Sequence, residues 1–159
     1  MTNRPEKGDK APNVTIPVSD EETVNLGKPS GQAHVVYFYP RDNTPGCTTE
    51  AVDFTSLRAE FDALGVEIIG VSKDSLASHA KFQAKKDLTV TLASDETTDA
   101  CEQFGVWVEK NMYGKKYMGI ERSTFLIRAD GSIAEVWRKV KVKQHAQLVL
   151  EATRAILGA

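Results

Sequence analysis

The 159-residue chain has only two cysteines, Cys47 and Cys101, and no Cys-x-x-Cys pair. That absence argues against a dithiol oxidoreductase of the thioredoxin kind. The three histidines, His34, His79 and His145, have no ligand spacing with one another or with a cysteine, so no metal site is expected. His79 and His145 stand among polar helix residues and are read as solvated surface. There is no surplus of charge: 20 basic and 22 acidic side chains leave a net charge of -2. This removes any general electrostatic argument for nucleic acid or an anionic membrane as partner. No apolar run approaches the ~18 residues that span a bilayer. The opening residues 1–7 are polar and lack the apolar core of a signal peptide, so the cytoplasm is the expected compartment. In a reducing compartment a purely structural disulfide is not expected, and a catalytic or transient one fits better. What remains, 41% hydrophobic and 26% charged, is an ordinary globular composition. The length suits one domain over residues 1–159.

The patterning predicts mixed α/β structure. Residues 14–18 and 22–26 alternate polar and apolar, which predicts a small hairpin with Pro17 on an edge. Residues 34–39 and 66–72 are near-continuous apolar runs, as in parallel strands covered on both faces. Helical spacing follows each: one helix runs from the residues around Cys47 to about Leu64, with Gly65 as its stop, and another runs to about Lys86 behind a Ser75 or Asp74 cap. Residues 89–93 read as a short strand and 97–104 as a short helix carrying Cys101. Residues 123–127 and 133–138 read as two strands around an Asp130-Gly131 turn. A closing helix over 142–157 is ended by Gly158. No repeat, linker or low-complexity segment interrupts this order. Early strand–helix alternation requires right-handed crossovers and parallel strands, and the late hairpin adds antiparallel ones. A thioredoxin-like fold, with a mixed central sheet, helices on both faces and an N-terminal β-hairpin, fits best. A flavodoxin-like order would need a further alternation in place of the Asp-Gly hairpin.

One stretch carries chemistry. Residues 40–50 read Pro-Arg-Asp-Asn-Thr-Pro-Gly-Cys-Thr-Thr-Glu, between a buried strand and a helix start. Cys47 thus falls in a first helical turn, where free N–H groups and the helix dipole favour negative charge. Cysteines in such places can ionise in the range of roughly 3.5–7.5 instead of about 8.5. The thiolate has no local second cysteine for disulfide exchange and no placed histidine for hydrolysis. A peroxide asks for less: in-line placement of the O–O bond and donors for the charge on the leaving oxygen. Thr44 offers a hydroxyl, and an arginine must come from elsewhere in the chain.

At this point the sequence resembles a known family. Pro40, Thr44 and Cys47 fall in the peroxiredoxin pattern Pro-x-x-x-Thr-x-x-Cys. Residues 8–12, 37–50, 94–96, 104–107 and 122–127 resemble the Q-type members, the bacterioferritin comigratory proteins. The resemblance implies a thiol-dependent peroxidase in which Cys47 is oxidised to sulfenic acid by hydrogen peroxide or organic hydroperoxides. It implies that Arg122 lowers the thiolate pKa and grips the peroxide, that Thr44 hydrogen-bonds thiolate and peroxide, that Pro40 shields the site and that Glu50 orients Arg122. It implies no metal or organic cofactor, and a monomer or weak dimer.

The chain departs from this family in one respect. The usual resolving positions hold Val52 and Gln83, neither of them cysteine. The sulfenic acid is then reduced by an external thiol (thioredoxin, glutaredoxin or glutathione) or by Cys101, 54 residues on (101 minus 47). A disulfide needs Cα atoms within about 7 Å, so the second route requires local unwinding. The external route is the favoured expectation. A redox sensor or holdase that does not turn over is the reading from another class.

Overall fold

The computed structural model describes residues 4–157. A short hairpin of β1 (Thr15–Pro17) and β2 (Thr23–Asn25) comes first, followed by β3 (Ala33–Phe38), α1 (Pro45–Ala63), β4 (Val66–Ser72), α2 (Leu76–Lys86), β5 (Thr91–Ser94) and the single turn α3 (Ala100–Gln103). A second hairpin, β6 (Trp107–Met112) and β7 (Lys115–Ile120), precedes β8 (Ser123–Arg128), β9 (Ile133–Trp137) and α4 (His145–Leu157). The central sheet runs β5-β4-β3-β8-β9. β3, β4 and β5 are parallel, and β8 and β9 are antiparallel additions.

The apolar runs explain the layering. Every residue of β3 is buried, and alternate side chains feed opposite faces. Val35 and Tyr37 join Phe54 and Phe61 of α1, Phe82 of α2 and Val149 and Leu150 of α4 on one side. Val36 and Phe38 join Ile16, Cys101, Phe104, Phe125 and Ile127 on the other. The sheet therefore separates two cores: α1, α2 and α4 cover one face, while the other is covered by the single turn α3 and the N-terminal β1–β2 segment, so there is less helix on the second face than expected.

Several boundaries match their signals. Ser75 caps α2, its hydroxyl accepting from the Ser78 N–H at 3.1 Å. Gly65 follows α1 with φ of +76°. Gly158, expected to end the last helix, lies outside the described residues. Other expectations are corrected. The short helix around Cys101 covers Ala100–Gln103 rather than 97–104, because Asp95 takes the N–H groups of Ala100 and Cys101 at 2.8 and 2.9 Å and holds the preceding loop open. The β6–β7 hairpin was not expected from sequence. Its strands face solvent on much of their surface, so their alternation is not apolar, and its turn is Tyr113-Gly114 rather than Asn-Gly. Both turn residues have positive φ, +53° and +80°, as a two-residue hairpin turn requires. His79 and His145 are 2% and 3% exposed, not solvated surface. His79 lies three residues after Leu76 and three before Phe82, on the inward face of α2. Leu148 is exposed, while His145 packs edge-on against Phe54 and Trp137.

Candidate active site

α1 opens just beyond the sheet end where β3 stops. Thr44 is its N-cap with an extended backbone, and Pro45 occupies the first turn, where its missing N–H leaves no bond unmade. Cys47 is the third helical residue and is almost fully buried. One turn on, Glu50 shares its face of the helix. Arg122 arrives from the link between β7 and β8, with its carbonyl accepting from the Val140 N–H at 2.9 Å.

These residues meet. Arg122 Nη2 donates to Cys47 Sγ at 3.3 Å, and Nη1 donates to Glu50 Oε1 at 2.6 Å. One guanidinium thus bridges a sulfur and a buried carboxylate. Burial pushes the Glu50 carboxyl up to about 7, against the opposing pull of Arg122. Its other oxygen, Oε2, has no hydrogen-bond partner, and neither has the hydroxyl of Tyr37, which lies buried nearby. Gly46 leaves room for this approach: a Cβ there would sit 3.3 Å from Arg122 Nη2, so the guanidinium would have to give by a few tenths of an ångström.

Of the sequence-derived site residues, the structure brings Cys47, Glu50 and Arg122 into direct contact. Thr44 and Pro40 line the adjoining cleft. Thr44 differs from its expected role in one detail: its hydroxyl donates to the Arg41 carbonyl at 3.0 Å rather than to the sulfur. The oxygen keeps lone pairs with which it can accept a hydrogen bond. Cys101 lies in the core across the sheet, and burial first, then Asp95, drives its thiol far above the usual range. Val52 is exposed on α1, and Gln83 donates to the Val90 carbonyl at 3.1 Å. Both cysteines are free.

A cleft of about 600 Å³ runs between Pro40, Arg41 and Thr44 on one side and Trp107, Lys110 and Tyr117 of the β6–β7 hairpin on the other. Lys110 carries no local motif that would assign it to a site. Its stem crosses Gly119, where a Cβ would stand 3.2 Å from Lys110 Cδ. Its ammonium is held below the usual lysine range by burial and then by the charge of Arg122, with Cys47 acting in the opposite sense. It is a further cation on the cleft wall, carried by the hairpin that periodicity did not reveal.

Asp42, also unassigned from sequence, is buried at the root of the same loop. Its carboxylate accepts from Tyr39 Oη at 2.5 Å, Ser78 Oγ at 2.8 Å and His79 Nδ1 at 2.7 Å. Burial pushes this carboxyl up, but the bonds from His79 and Tyr39 outweigh it and hold the group below its ordinary value. Among the described residues no cluster of three His, Cys, Asp or Glu side chains could hold a metal ion.

Comparison with known proteins places this geometry. Residues 7–136 match the AhpC/TSA family. The chain is 47% identical to Peroxiredoxin Bcp of Bacillus subtilis over 149 residues, 94% of this chain and 95% of that protein. Among solved structures it is similar to a bacterioferritin comigratory protein of Xanthomonas campestris, studied for its alkyl peroxide reduction activity, at 46% identity and a TM-score of 0.84 over 91% of this chain and 92% of the other. It is also similar to PrxQ of Xylella fastidiosa, at 39% identity and a TM-score of 0.88 over 98% and 99%. The fold is the thioredoxin-like α/β fold that these structures share.

Proposed function

Because the chain belongs to the AhpC/TSA family and is a peroxiredoxin-type peroxidase, we propose that Cys47 is the sulfur that reduces the peroxide and that Arg122, Thr44, Pro40 and Glu50 serve it. The observation that carries this reading is the guanidinium of Arg122 held between Cys47 Sγ and Glu50 Oε1. That guanidinium stands where it can meet negative charge on the sulfur and on the leaving oxygen. The thiolate attacks one oxygen of the hydroperoxide, the S–O bond forms as the O–O bond breaks, and the other oxygen leaves as alkoxide or hydroxide and takes a proton from solvent. The sulfur is oxidised to sulfenic acid and the peroxide is reduced by two electrons. Arg122 and the first-turn N–H groups face the charge that develops in this step. Thr44 orients the peroxide, Pro40 screens the sulfur from water, and Glu50 fixes the plane of the guanidinium.

The cleft leading past Thr44 has room for more than hydrogen peroxide, and its hairpin wall carries Trp107, Met112 and Tyr117. Organic hydroperoxides are accordingly proposed as substrates alongside hydrogen peroxide. The sulfenic acid is returned to the thiol from outside the chain: one external thiol displaces water to form a mixed disulfide, and a second releases Cys47. Thioredoxin, glutaredoxin and glutathione are the candidate donors, and the chain acts as a one-cysteine enzyme. The central sheet between Cys47 and Cys101 supports this route. The first turn of α1 must open for a protein thiol to reach so buried a sulfur. Residues 1–159 act as one domain in the cytoplasm.

The test is intact mass after one equivalent of hydrogen peroxide with a sulfenic-acid trap present. A trap adduct at Cys47 and a free Cys101 are expected, and Cys47→Ser should give no adduct and no turnover. Peroxide consumption surviving in Cys47→Ser would sink the assignment.

A further inference from the structure

The loop that carries Thr44 to Cys47 has little packing to hold it. Pro40, Arg41 and Asn43 are exposed. One side of the loop faces the cleft of about 600 Å³, and the other faces a second cleft of about 350 Å³ that Asp42 and Asn43 help to line. Asn43 adopts a left-handed backbone with φ of +60°, a conformation that asparagine tolerates but that needs support to persist. The Thr44 side chain makes no cap bond to α1, and its one donated bond, to Arg41, stays within the loop. The Thr44 carbonyl accepts from the Thr48 N–H of α1 at 2.8 Å, and the side-chain attachment of the loop to the body of the protein is Asp42.

That attachment is made to the end of β3, to α2 and to the β4–α2 link. The Asp42 carboxylate receives Tyr39, at the end of β3, and Ser78 and His79 of α2. The Asp42 N–H donates to Asp74 Oδ2 at 2.8 Å. His79 extends the chain of bonds to β5: its Nε2 lies 2.9 Å from the Ala93 carbonyl, which can only accept, so Nε2 carries a proton. Nδ1 faces the Asp42 carboxylate, and the side chains of the pair are 2% and 4% exposed. A buried pair of this kind is costly to break from one side, because it strands the other partner without its bond.

We propose that His79 and Asp42 are positioning residues for the oxidation of Cys47: together they pin the loop 40–44 to α2 and β5 and so fix the Thr44 hydroxyl. The inference rests on the assignment of Cys47 and Thr44 above. Losing the pair leaves the Thr44 hydroxyl free to wander, and a displacement of about 1 Å at a reacting centre can cost on the order of 100-fold in rate.

The experiment is a double-mutant cycle on the rate constant of Cys47 oxidation by hydrogen peroxide, followed by tryptophan fluorescence in stopped flow, using wild type, Thr44→Val, His79→Ala and the double variant. Each single change is expected to slow oxidation by about tenfold or more, and the double variant to be no slower than the worse single by more than about twofold, since His79 acts through Thr44. His79→Asn, whose amide nitrogen stands near the place of Nδ1, should recover part of the rate. Should His79→Ala fail to fold, Asp42→Asn replaces it in the cycle, keeping the shape of the side chain while losing its charge. Losses that multiply in the double variant, or an unchanged rate in the His79 or Asp42 variant, overturn the inference and leave the function of Cys47 standing. A wild-type protein whose Cys47 is not oxidised overturns the assignment of Cys47 first, and the inference with it.

Discussion

Arg122 serves two partners with one charge. Nη2 reaches Cys47 Sγ, and Nη1 is held by a carboxylate with no water-facing alternative. A lysine could not do both, because a point charge lacks the fork that meets two acceptors in one plane. Arg122→Ala removes a donor to the sulfur and leaves Glu50 buried beside no cation. Sulfenate formation is expected to slow by about 100-fold or more, the scale seen when a preorganised charge-stabilising donor is lost. Trapping kinetics for Cys47 check this, and an unchanged rate would show that Arg122 is structural. Lys110 on the cleft wall is not expected to replace the lost contact, because its stem lies across Gly119 on the hairpin.

At the scale of elements, the site is a meeting of ends. α1 supplies Cys47 and Glu50 one turn apart, the β7–β8 link supplies Arg122, and the loop after β3 supplies Thr44. None of these segments holds its place alone. The β8–β9 turn shows how tightly such ends are set: Gly131 has φ of +87°, and a Cβ there would meet the Gly27 carbonyl at 2.8 Å. Its own carbonyl accepts from the Ala11 N–H at 2.8 Å, joining the N-terminal segment to the last hairpin. Gly131→Ala should lower the unfolding free energy by about 1–3 kcal/mol, through strain and crowding together. Urea unfolding measures this, and a neutral substitution would mean that the turn can shift without cost.

At the scale of the whole molecule, the sheet decides which thiols can meet. Cys47 and Cys101 sit in cores on its opposite faces, so an internal disulfide would require one of them to leave its core. Cys101→Ser is therefore expected to leave peroxide turnover with an external thiol within about twofold of wild type, since that thiol makes no contact with the reacting sulfur. Loss of turnover would restore the internal route. Stability should also follow pH through the buried histidines. Burial holds His34 and His145 down at about 4, so between about 4 and the ordinary value near 6.5 the unfolded chain binds more protons than the folded one. Stability then rises with pH across that window, by at most roughly 3 kcal/mol per histidine. Glu50, raised to about 7, works in the opposite sense between about 4.5 and 7, so the two histidines together outweigh one carboxyl. Thermal melts from pH 4 to 6.5 should show a rising Tm that flattens in His34→Gln and His145→Gln. A Tm that falls over this range would contradict the burial of these rings.

By itself the sequence determined the sheet strands, the long helices and the position of a cysteine in a first helical turn. Those features are local: apolar runs, caps, and turn residues such as Gly65 and Asp130-Gly131 act over a few residues and leave their mark there. Thr44 and Cys47 were legible for the same reason, since one loop and the helical turn after it carry both, whereas Glu50 was named through family resemblance. Arg122 was named through family resemblance, because a lone arginine at a strand start has no local signature. Tertiary structure alone decided the rest. It turned His79 inward onto Asp42, brought Lys110 to the cleft wall on a solvent-facing hairpin, and put the sheet between the two cysteines. Each of these depends on which face of an element is covered and by what, and that is set by partners 30 or more residues away, as the 37-residue separation of Asp42 and His79 shows.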